Sequence, residues 1–282
     1  MWCWPTARSR SNQSRRSGRR QSGGIVAERT QVWSCGGGTQ SAAIAALIIQ
    51  GRLPKPDIAL MVDTGRERES TWSFLNSWIK PSLREVGVDL CIISKEKYAG
   101  YDLYSHADGI LLPGFSTQSG GVGKLSNFCS DKWKREVTSR YLRDVGVEQA
   151  RLWIGISLDE MRRVRTQRLQ WLELWYPLIF AVQMTRPECR LLALCMGWPE
   201  PPHSCCWMCP NMGDAEWLDM KVNWPHDFAQ ACALELEIRQ RDAHFWLNAR
   251  CIPLGEIDFT VPITGPSDQF ALFGCASGHC FV

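Results

Sequence analysis

Three consecutive glycines at residues 36–38 separate a short apolar segment from a run of small and aliphatic residues. The segment before them, residues 30–34, has the length of a buried strand, and residues 42–50 suit a helix that ends at Gly51. Glycine adopts positive φ at little cost, so such a loop leaves its backbone N–H groups uncovered. At a helix N-terminus these groups form an anion-binding nest. A tight packing turn is the alternative.

The same strand–loop–helix pattern recurs along the chain. Residues 58–62 predict a second buried strand, which breaks at Asp63-Thr64-Gly65, and residues 88–94 and 151–156 predict two more. A helix is predicted over residues 159–174. Strands that alternate with helices indicate parallel βαβ units. The predicted fold is therefore α/β, with a doubly wound, mostly parallel sheet of the HUP or Rossmann-like type. Its ligands would bind beyond the carboxyl ends of the strands.

Charge is distributed unevenly. Residues 1–29 contain seven arginines and one glutamate, a net charge of +6, so the rest of the chain nets to −3. This Arg-rich tail is predicted to be disordered. It is open to three interpretations: a transit peptide, a nucleic-acid-binding arm, or non-native sequence upstream of a misplaced start codon. No apolar run approaches the roughly 18 residues of a membrane span, which predicts a soluble protein with no membrane partner.

Thirteen cysteines are unusually many for 282 residues. A chain of this length buries a core without disulfides, so we expect reduced thiols in a cytoplasmic protein, with some of them binding metal. Cys206 and Cys209 form a C-x-x-C knuckle, and Cys189 and Cys129 are the predicted further ligands. Four thiolates suit a [4Fe–4S] cluster or a structural Zn²⁺ ion, and their spacing does not distinguish the two.

The segment Ser34-Cys-Gly-Gly-Gly-Thr-Gln-Ser41 resembles the PP-loop of the adenine-nucleotide α-hydrolase superfamily, and most closely that of its PAPS-reductase-like branch. Further motifs of that branch follow in order as far as the C-terminal region. They are Asp63-Thr64-Gly65, Cys129 with Lys132 and Lys134, Gly155-Ile-Ser-Leu-Asp159-Glu160-Met-Arg-Arg163, Tyr176-Pro177-Leu178-Ile179, Met184-Thr-Arg186-x-x-Cys189, and Pro201-Pro-x-Ser-x-Cys206-x-x-Cys209-Pro210.

The resemblance implies a site for ATP or PAPS, with Mg²⁺ as an accompanying ion, and favours iron–sulfur over zinc. The loop would hold the phosphates, Gly155 and Ile156 would lie where the adenine stacks, and Lys134 and Arg163 would bind phosphate or sulfate. For the clustered arginines a solvated helix face is the alternative. The nucleotide-binding residues that it implies are Ser34, Gly36, Gly37, Gly38, Thr39, Ser41, Asp63, Thr64, Gly65, Lys134, Gly155, Ile156, Glu160 and Arg163.

Two positions in the loop depart from the family pattern. Cys35 stands where relatives often carry Phe, and Gln40 replaces the acidic residue of the common loop. Because that acid would help to hold Mg²⁺, its replacement argues against standard AMP-forming chemistry. Near the C-terminus, Cys275 and Cys280 are the predicted catalytic thiols, since they could take up a sulfo group or a persulfide. The usual reductase tail, Glu-Cys-Gly-Leu-His, is absent.

The predicted domains follow from these assignments. Residues 30–185 would form the nucleotide-binding domain, and residues 186–282 a Cys-rich, mainly helical subdomain with a helical run over 215–241. Residues 99–127, rich in Gly, Ser and Tyr, predict a lid or mobile loop.

Three functions compete. The first is a PAPS-reductase-like enzyme of sulfur transfer or reduction, served by a thioredoxin-like electron donor. The second is an ATP-dependent sulfurtransferase that modifies tRNA or DNA. The third is a non-catalytic nucleotide-binding module with a structural metal. A Rossmann dehydrogenase fits less well, because it leaves the cysteines unexplained.

Overall fold

A computed structural model of the chain describes residues 29–99, 112–126, 129–165 and 169–261. Its strands are β1 (Thr30–Ser34), β2 (Ile58–Asp63), β3 (Leu90–Ser94), β4 (Phe115–Ser116), β5 (Gly123–Lys124), β6 (Ala150–Ile154), β7 (Leu172–Trp175) and β8 (Phe245–Trp246). Its α-helices are α1 (Thr39–Ile49), α2 (Glu69–Phe74), α3 (Lys80–Glu85), α4 (Lys95–Tyr98), α5 (Glu136–Asp144), α6 (Pro177–Phe180), α7 (Arg186–Cys195), α8 (Asp214–Asn223) and α9 (Pro225–Arg241).

Shorter helical segments adjoin these elements. A π-helix, Leu75–Ile79, joins α2 to α3, and a second, Ser130–Arg135, leads into α5. Leu158–Arg163 and Leu254–Glu256 are 3-10 helices.

The main sheet has five parallel strands in the order β3-β2-β1-β6-β7. The chain winds outward from β1 through β2 to β3, then returns to the other side of β1 at β6. The winding therefore reverses between β1 and β6, which makes this pair the switch point of the sheet. The predicted doubly wound α/β fold is confirmed.

Both faces of the sheet are covered, because successive residues of a strand point to opposite sides. Trp33, Met61 and Trp153 pack on one face with α1 and α7. Val32 and Leu152 pack on the other with Val137 and Leu142 of α5. Burial on both faces explains why β2 is an almost continuous apolar run.

Helix α1 is buried almost all round, which suits its composition of alanine and aliphatic residues. Alanine is the strongest helix former, and a helix that is apolar on every side belongs in the interior. It ends at Gln50, followed by Gly51 at φ +68°, as the sequence predicts. The glycine loop at its start is thus fixed to the centre of the protein.

A third hydrophobic cluster lies in the cysteine-rich part of the chain. It contains Trp207 and Met208, Trp217 of α8, Phe228 of α9 and the late residue Phe259. Leu112 and Trp133, from the segment between β3 and β6, belong to the same cluster. Beside it, β4 pairs antiparallel with both β5 and β8. Strands β4 and β5 lie within residues 99–127, the stretch predicted as a lid or mobile loop, of which residues 112–126 are described.

Two predicted elements differ in the structure. Residues 159–174, predicted as one helix, contain a 3-10 helix and the start of strand β7. In β7, Leu172 and Leu174 alternate with Glu173 and Trp175, which is the two-residue period of a strand. The helical run over 215–241 is two helices, and Pro225 begins the second. Within the described ranges, no helix is both long and apolar enough to cross a membrane.

Candidate functional site

A cleft opens at the switch point, beyond the carboxyl ends of β1 and β6. Its empty space, including the open mouth, is about 810 Å³. Backbone and polar groups of the glycine loop face apolar side chains of the strands across it. The lining residues are Ser34, Cys35, Gly36, Gly38, Gln40, Ser41, Met61, Val62, Lys134, Arg135, Thr138, Leu152, Ile154, Gly155, Leu174 and Ser204.

The glycine loop, residues 36–38, leads directly into the first turn of α1. Gly37 has φ +75°, and a Cβ there would lie 2.6 Å from Cγ2 of Thr71. The N–H of Gly36 donates to Oγ of Ser41 at 2.8 Å, which holds the loop against the first turn of α1. No side chain caps that helix. The positive end of the helix dipole therefore faces the cleft.

Residues 202–207, called here segment 202–207, pack directly on this loop. The Ser204 hydroxyl donates to the carbonyl oxygen of Gly36. A Cβ at Gly38 would lie 2.6 Å from Cβ and 2.8 Å from N of Ser204. Gly38 has an ordinary negative φ, so close packing, not backbone conformation, requires a glycine there. Segment 202–207 is thus one wall of the cleft.

The same segment also contacts the turn after β2. Trp207 N–H donates to the carbonyl oxygen of Arg66 at 2.9 Å, and Glu67 and Cys206 form an antiparallel β-bridge. The Arg66 guanidinium lies 5.1 Å from the Trp207 ring centroid, within cation–π range. Segment 202–207 therefore ties the turns after β1 and β2 together.

A buried group of charges and thiols lies behind the cleft. Lys134 Nζ is 3.0 Å from Oε1 of Glu67, whose side chain is fully buried. Thr64 Oγ1 donates to the same oxygen at 3.2 Å and lies 3.9 Å from Cys206 Sγ. Burial acts to lower the pKa of Lys134, but the charge and the hydrogen bond of the Glu67 carboxylate outweigh it, so the pKa is raised. Lys134 is thus a charged ammonium on the cleft wall, beside Arg135, which is paired with Asp131.

Cys206 itself is a protonated thiol in this environment. Burial raises its pKa first and the Glu67 carboxylate raises it further, while Lys134 and the Thr64 hydroxyl act in the opposite direction. The net shift is upward, so at neutral pH the sulfur is neutral.

Cys35 places a thiol on the cleft wall at the start of the glycine loop. It is 3% exposed, and burial raises its pKa to about 11. Hydrogen bonds with the Gly37 backbone and the Ser41 side chain, and the charge of Lys134, act to lower that pKa. The thiol thus shares its surroundings with the groups that would bind an anion.

Gln40 and Glu160 connect the glycine loop to the turn after β6. Gln40 Nε2 donates to Glu160 Oε2 at 2.7 Å, and Ser157 Oγ donates to the same atom at 3.1 Å. Arg163, largely buried, donates to Glu160 Oε1 at 2.7 Å. The Glu160 carboxylate is therefore already engaged by three donors. Arg163 lies in this network and not on a solvated helix face.

The predicted nucleotide-binding residues do not all line the cleft. Gly37 belongs to the glycine loop and Thr39 begins α1, whereas Thr64 and Gly65 lie in the turn after β2, where Asp63 Oδ1 accepts the Gly65 N–H at 2.7 Å. Ile156 is fully buried in the cluster on the α5 side, so its side chain is not on the cleft wall, and Glu160 and Arg163 are paired with each other. The predicted residues that line the cleft are Ser34, Gly36, Gly38, Ser41, Lys134 and Gly155.

The structure does not bring the four predicted metal ligands together. Cys189 is fully buried with α1, because it lies on the inner face of α7, whereas Cys129, Cys206 and Cys209 adjoin the third cluster. Burial, followed by nearby Asp159, raises the pKa of the Cys189 thiol to about 12. Within the described ranges, no group of three or more His, Cys, Asp and Glu side chains is arranged to hold a metal ion. These residues do not fit a four-thiolate centre.

The predicted catalytic thiols, Cys275 and Cys280, lie outside the described residues. The ten cysteines within them form no disulfide.

Several residues of the site were not singled out from the sequence. Ser204 lies inside the Pro-Pro-x-Ser-x-Cys motif, so its position was marked without a role. Glu67 follows the Asp-Thr-Gly turn by two residues, and Thr138 lies four residues after Lys134, on the same face of a helical segment. Leu152, Ile154 and Leu174 become apolar walls only once β6 and β7 are placed side by side.

Two solved structures are similar in fold to this chain. A phosphoadenylyl-sulfate (PAPS) reductase from Candida auris, crystallised with phosphate, is 11% identical with a TM-score of 0.42, and the match covers 65% of this chain and 84% of that one. The U34-tRNA thiolase NcsA from Methanococcus maripaludis, with its [4Fe–4S] cluster, is 15% identical with a TM-score of 0.38, covering 78% and 69%. No family model and no curated protein matches the chain. At these identities and TM-scores neither structure identifies the ligand of the cleft.

Proposed function

We propose that this chain is an adenine-nucleotide-binding enzyme of the PAPS-reductase-like class that acts in sulfur transfer or reduction. One observation carries the proposal. The glycine loop, at the N-terminus of a buried helix, opens into a cleft at the sheet's switch point, with Lys134 on its wall. That combination offers backbone donors, a helix dipole and a cation to a phosphate or phosphosulfate.

The apolar side of the cleft supports a nucleotide rather than a free inorganic anion. Leu152, Ile154 and Leu174 come from two adjacent strands and face the loop across the cleft. A flat base is well accommodated by an apolar wall, while its phosphates reach the polar loop. Gly155 lies close to α1, since a Cβ there would be 3.2 Å from Cβ of Gln40, so this part of the cleft tolerates little extra bulk.

The contact between Gln40 and Glu160 favours a phosphosulfate over metal-assisted cleavage of ATP. Position 40 carries an amide, and Glu160, the carboxylate that it contacts, already accepts from Gln40, Ser157 and Arg163. A Mg²⁺ ion at the loop would have to displace those donors to gain this carboxylate as a ligand. Transfer of a sulfo group to a thiol needs no such ligand. Cys275 and Cys280 stay the proposed acceptor thiols.

Nucleotide binding tests the proposal directly. Titrations of PAPS, ATP and AMP into the wild type should show PAPS binding, and Gly37→Val should abolish it, because the new side chain would meet Thr71 and strain the loop. Gly51→Val is the matched control. Gly51 has a similar φ of +68° but no neighbour within 4 Å, so the variant carries the backbone strain without touching the cleft. Failure of the wild type to bind any adenine nucleotide would contradict the proposal.

Turnover then separates the three functions. Release of sulfite or transfer of the sulfo group from PAPS, with a thioredoxin-like donor present, supports the reductase, and Cys280→Ser with Cys275→Ser should stop it. Release of pyrophosphate from ATP, dependent on an RNA or DNA substrate, would favour the sulfurtransferase. Binding with neither reaction would leave the nucleotide-binding module.

A further inference from the structure

Glu67 is a buried carboxylate with an incomplete set of partners. Its Oε1 receives the Thr64 hydroxyl at 3.2 Å and Lys134 Nζ at 3.0 Å. Its Oε2 is buried and has no hydrogen-bond partner among the described residues. An unsatisfied buried polar atom costs stability, and a buried ion pair is seldom a net gain over apolar packing. Stability alone therefore does not account for Glu67.

Lys134, the partner of Glu67, contacts both this carboxylate and the cleft. Lys134 lines the cleft alongside Ser34 and Gly36, while Glu67 does not line it. The Lys134 ammonium thus lies between a buried carboxylate and the space in which an anionic ligand would sit. An anion in the cleft has to compete with Glu67 for that ammonium.

We infer that Glu67 is a positioning residue that sets the affinity of the cleft for anionic ligands by holding Lys134. The inference rests on the proposed function, because it concerns the same cleft. Glu67 holds the ammonium towards the protein interior and offsets its charge. The cleft then selects among anionic ligands more by its N–H groups and its apolar wall than by the net charge of the ligand.

Glu67→Gln removes the charge while keeping the shape. The amide oxygen still accepts from Thr64 and Lys134, but the ammonium is no longer held by a carboxylate. We expect pyrophosphate, ATP and PAPS to bind roughly tenfold more tightly. Glu67→Asp keeps the charge on a shorter side chain and should stay within about twofold of the wild type.

The double-mutant comparison shows whether Glu67 acts through Lys134. In a Lys134→Met background, Glu67→Gln should tighten pyrophosphate binding by less than about threefold, because only weak direct repulsion remains. Glu69→Gln is the control. Glu69 lies two residues from Glu67 and its side chain is exposed, so this variant loses the same charge but should bind pyrophosphate with unchanged affinity. Urea titration of each variant establishes that it is folded.

Three outcomes overturn the inference while leaving the proposed function intact. Either Glu67→Gln binds pyrophosphate no more tightly than the wild type, or the gain is equally large without Lys134. If Glu67→Asp tightens binding as much as Glu67→Gln, charge is not the cause and the inference is also overturned. If neither the wild type nor Glu67→Gln binds pyrophosphate, ATP or PAPS, the proposed function itself fails.

Discussion

The hydroxyl of Ser204 donates to the backbone carbonyl of Gly36, which joins two parts of the chain 168 residues apart. A peptide group points its C=O and its N–H in opposite directions. By holding the carbonyl of residue 36, Ser204 also fixes the direction of the next N–H, at Gly37. The cysteine-rich segment therefore helps to shape the loop that the sequence marks as an anion site.

Gly38→Ala should disturb both parts at once. The added methyl would lie 2.6 Å from Cβ and 2.8 Å from the backbone N of Ser204, so segment 202–207 has to move. We expect a loss of about 1–3 kcal/mol in the free energy of unfolding, as for other overpacked sites. Urea unfolding measures it, and nucleotide affinity should fall in parallel.

Gly121→Ala is the matched control for that variant. A Cβ at Gly121 would have no neighbouring atom within 4 Å, and the residue has no positive φ, so the same substitution should be close to neutral. Ser204→Gly combined with Gly38→Ala should recover part of the loss, because the closest side-chain contact is gone. No loss in Gly38→Ala would mean that the segment is not fixed to the loop.

Cys35 should resist alkylation at neutral pH. Its pKa of about 11, raised by burial, leaves little of the reactive thiolate at pH 8. We expect iodoacetamide to label the exposed Cys91 and Cys195 first, as read by peptide mass spectrometry. Labelling of Cys35 should increase as the pH approaches 11 and should slow when a nucleotide fills the cleft. Rapid labelling at pH 7 would contradict the burial of this thiol.

The same pKa makes a prediction about stability. The Cys35 thiol has a pKa near 9.0 in the unfolded chain and about 11 in the folded protein. The folded state therefore keeps the thiol proton to a higher pH. Its stabilising contribution is complete below pH 9 and is lost as the pH rises towards 11. Cys35→Ala should therefore lose less stability between pH 8 and 11 than the wild type, measured by urea unfolding at each pH. An identical pH dependence in both proteins would place the alkaline loss at other groups.

Glu160→Ala should be among the more damaging substitutions near the cleft. It leaves the largely buried Arg163 without its carboxylate and removes the acceptor of Gln40. Breaking a buried pair in this way costs about 3–5 kcal/mol, and somewhat less here because Glu160 is 14% exposed. Arg162→Ala, at an exposed neighbouring position, should be nearly neutral in the same thermal or urea assay. Equal effects would mean that the network does not stabilise the fold.

Cys189→Ala should change stability and not metal content. The thiol is fully buried between α7 and α1, so its removal leaves a small cavity that costs about 1 kcal/mol. Iron, zinc and sulfide counts after anaerobic purification should be the same as in the wild type. Cys195→Ala, on the exposed side of the same helix, controls for the loss of a thiol. A metal lost only in Cys189→Ala would restore the four-thiolate site.

The parts of the fold that were predictable are those with local signals. Strand β2 is an almost continuous apolar run, and the glycines and the Ala-rich helix that follow β1 have strong intrinsic preferences. The Asp-Thr-Gly turn marks the end of the second strand. These signals place the loop and its neighbours at one edge of a parallel sheet without any knowledge of distant contacts.

The remaining parts depend on contacts between distant residues. Strands β4, β5 and β8 have two residues each. They depend on backbone pairing between distant residues, since Phe115 pairs with Lys124 on one side and with Trp246 on the other. Strand β7 was not predicted, because it follows a charged stretch whose sequence favours a helix over residues 159–174. The roles of Ser204 and Glu67 arise from segment 202–207 crossing the turns after β1 and β2, which no local pattern encodes.

The shared third cluster has a consequence for how the chain folds during synthesis. Leu112 and Trp133 are made early, yet the residues that cover them extend to Phe259. At about 5–20 residues per second, the ribosome takes several seconds or more to supply those partners. Through that interval the nascent protein presents an indole and a leucine side chain to the solvent beside a sheet that is otherwise complete. A chain arrested before β8 should therefore be a chaperone client, whereas the finished protein is not.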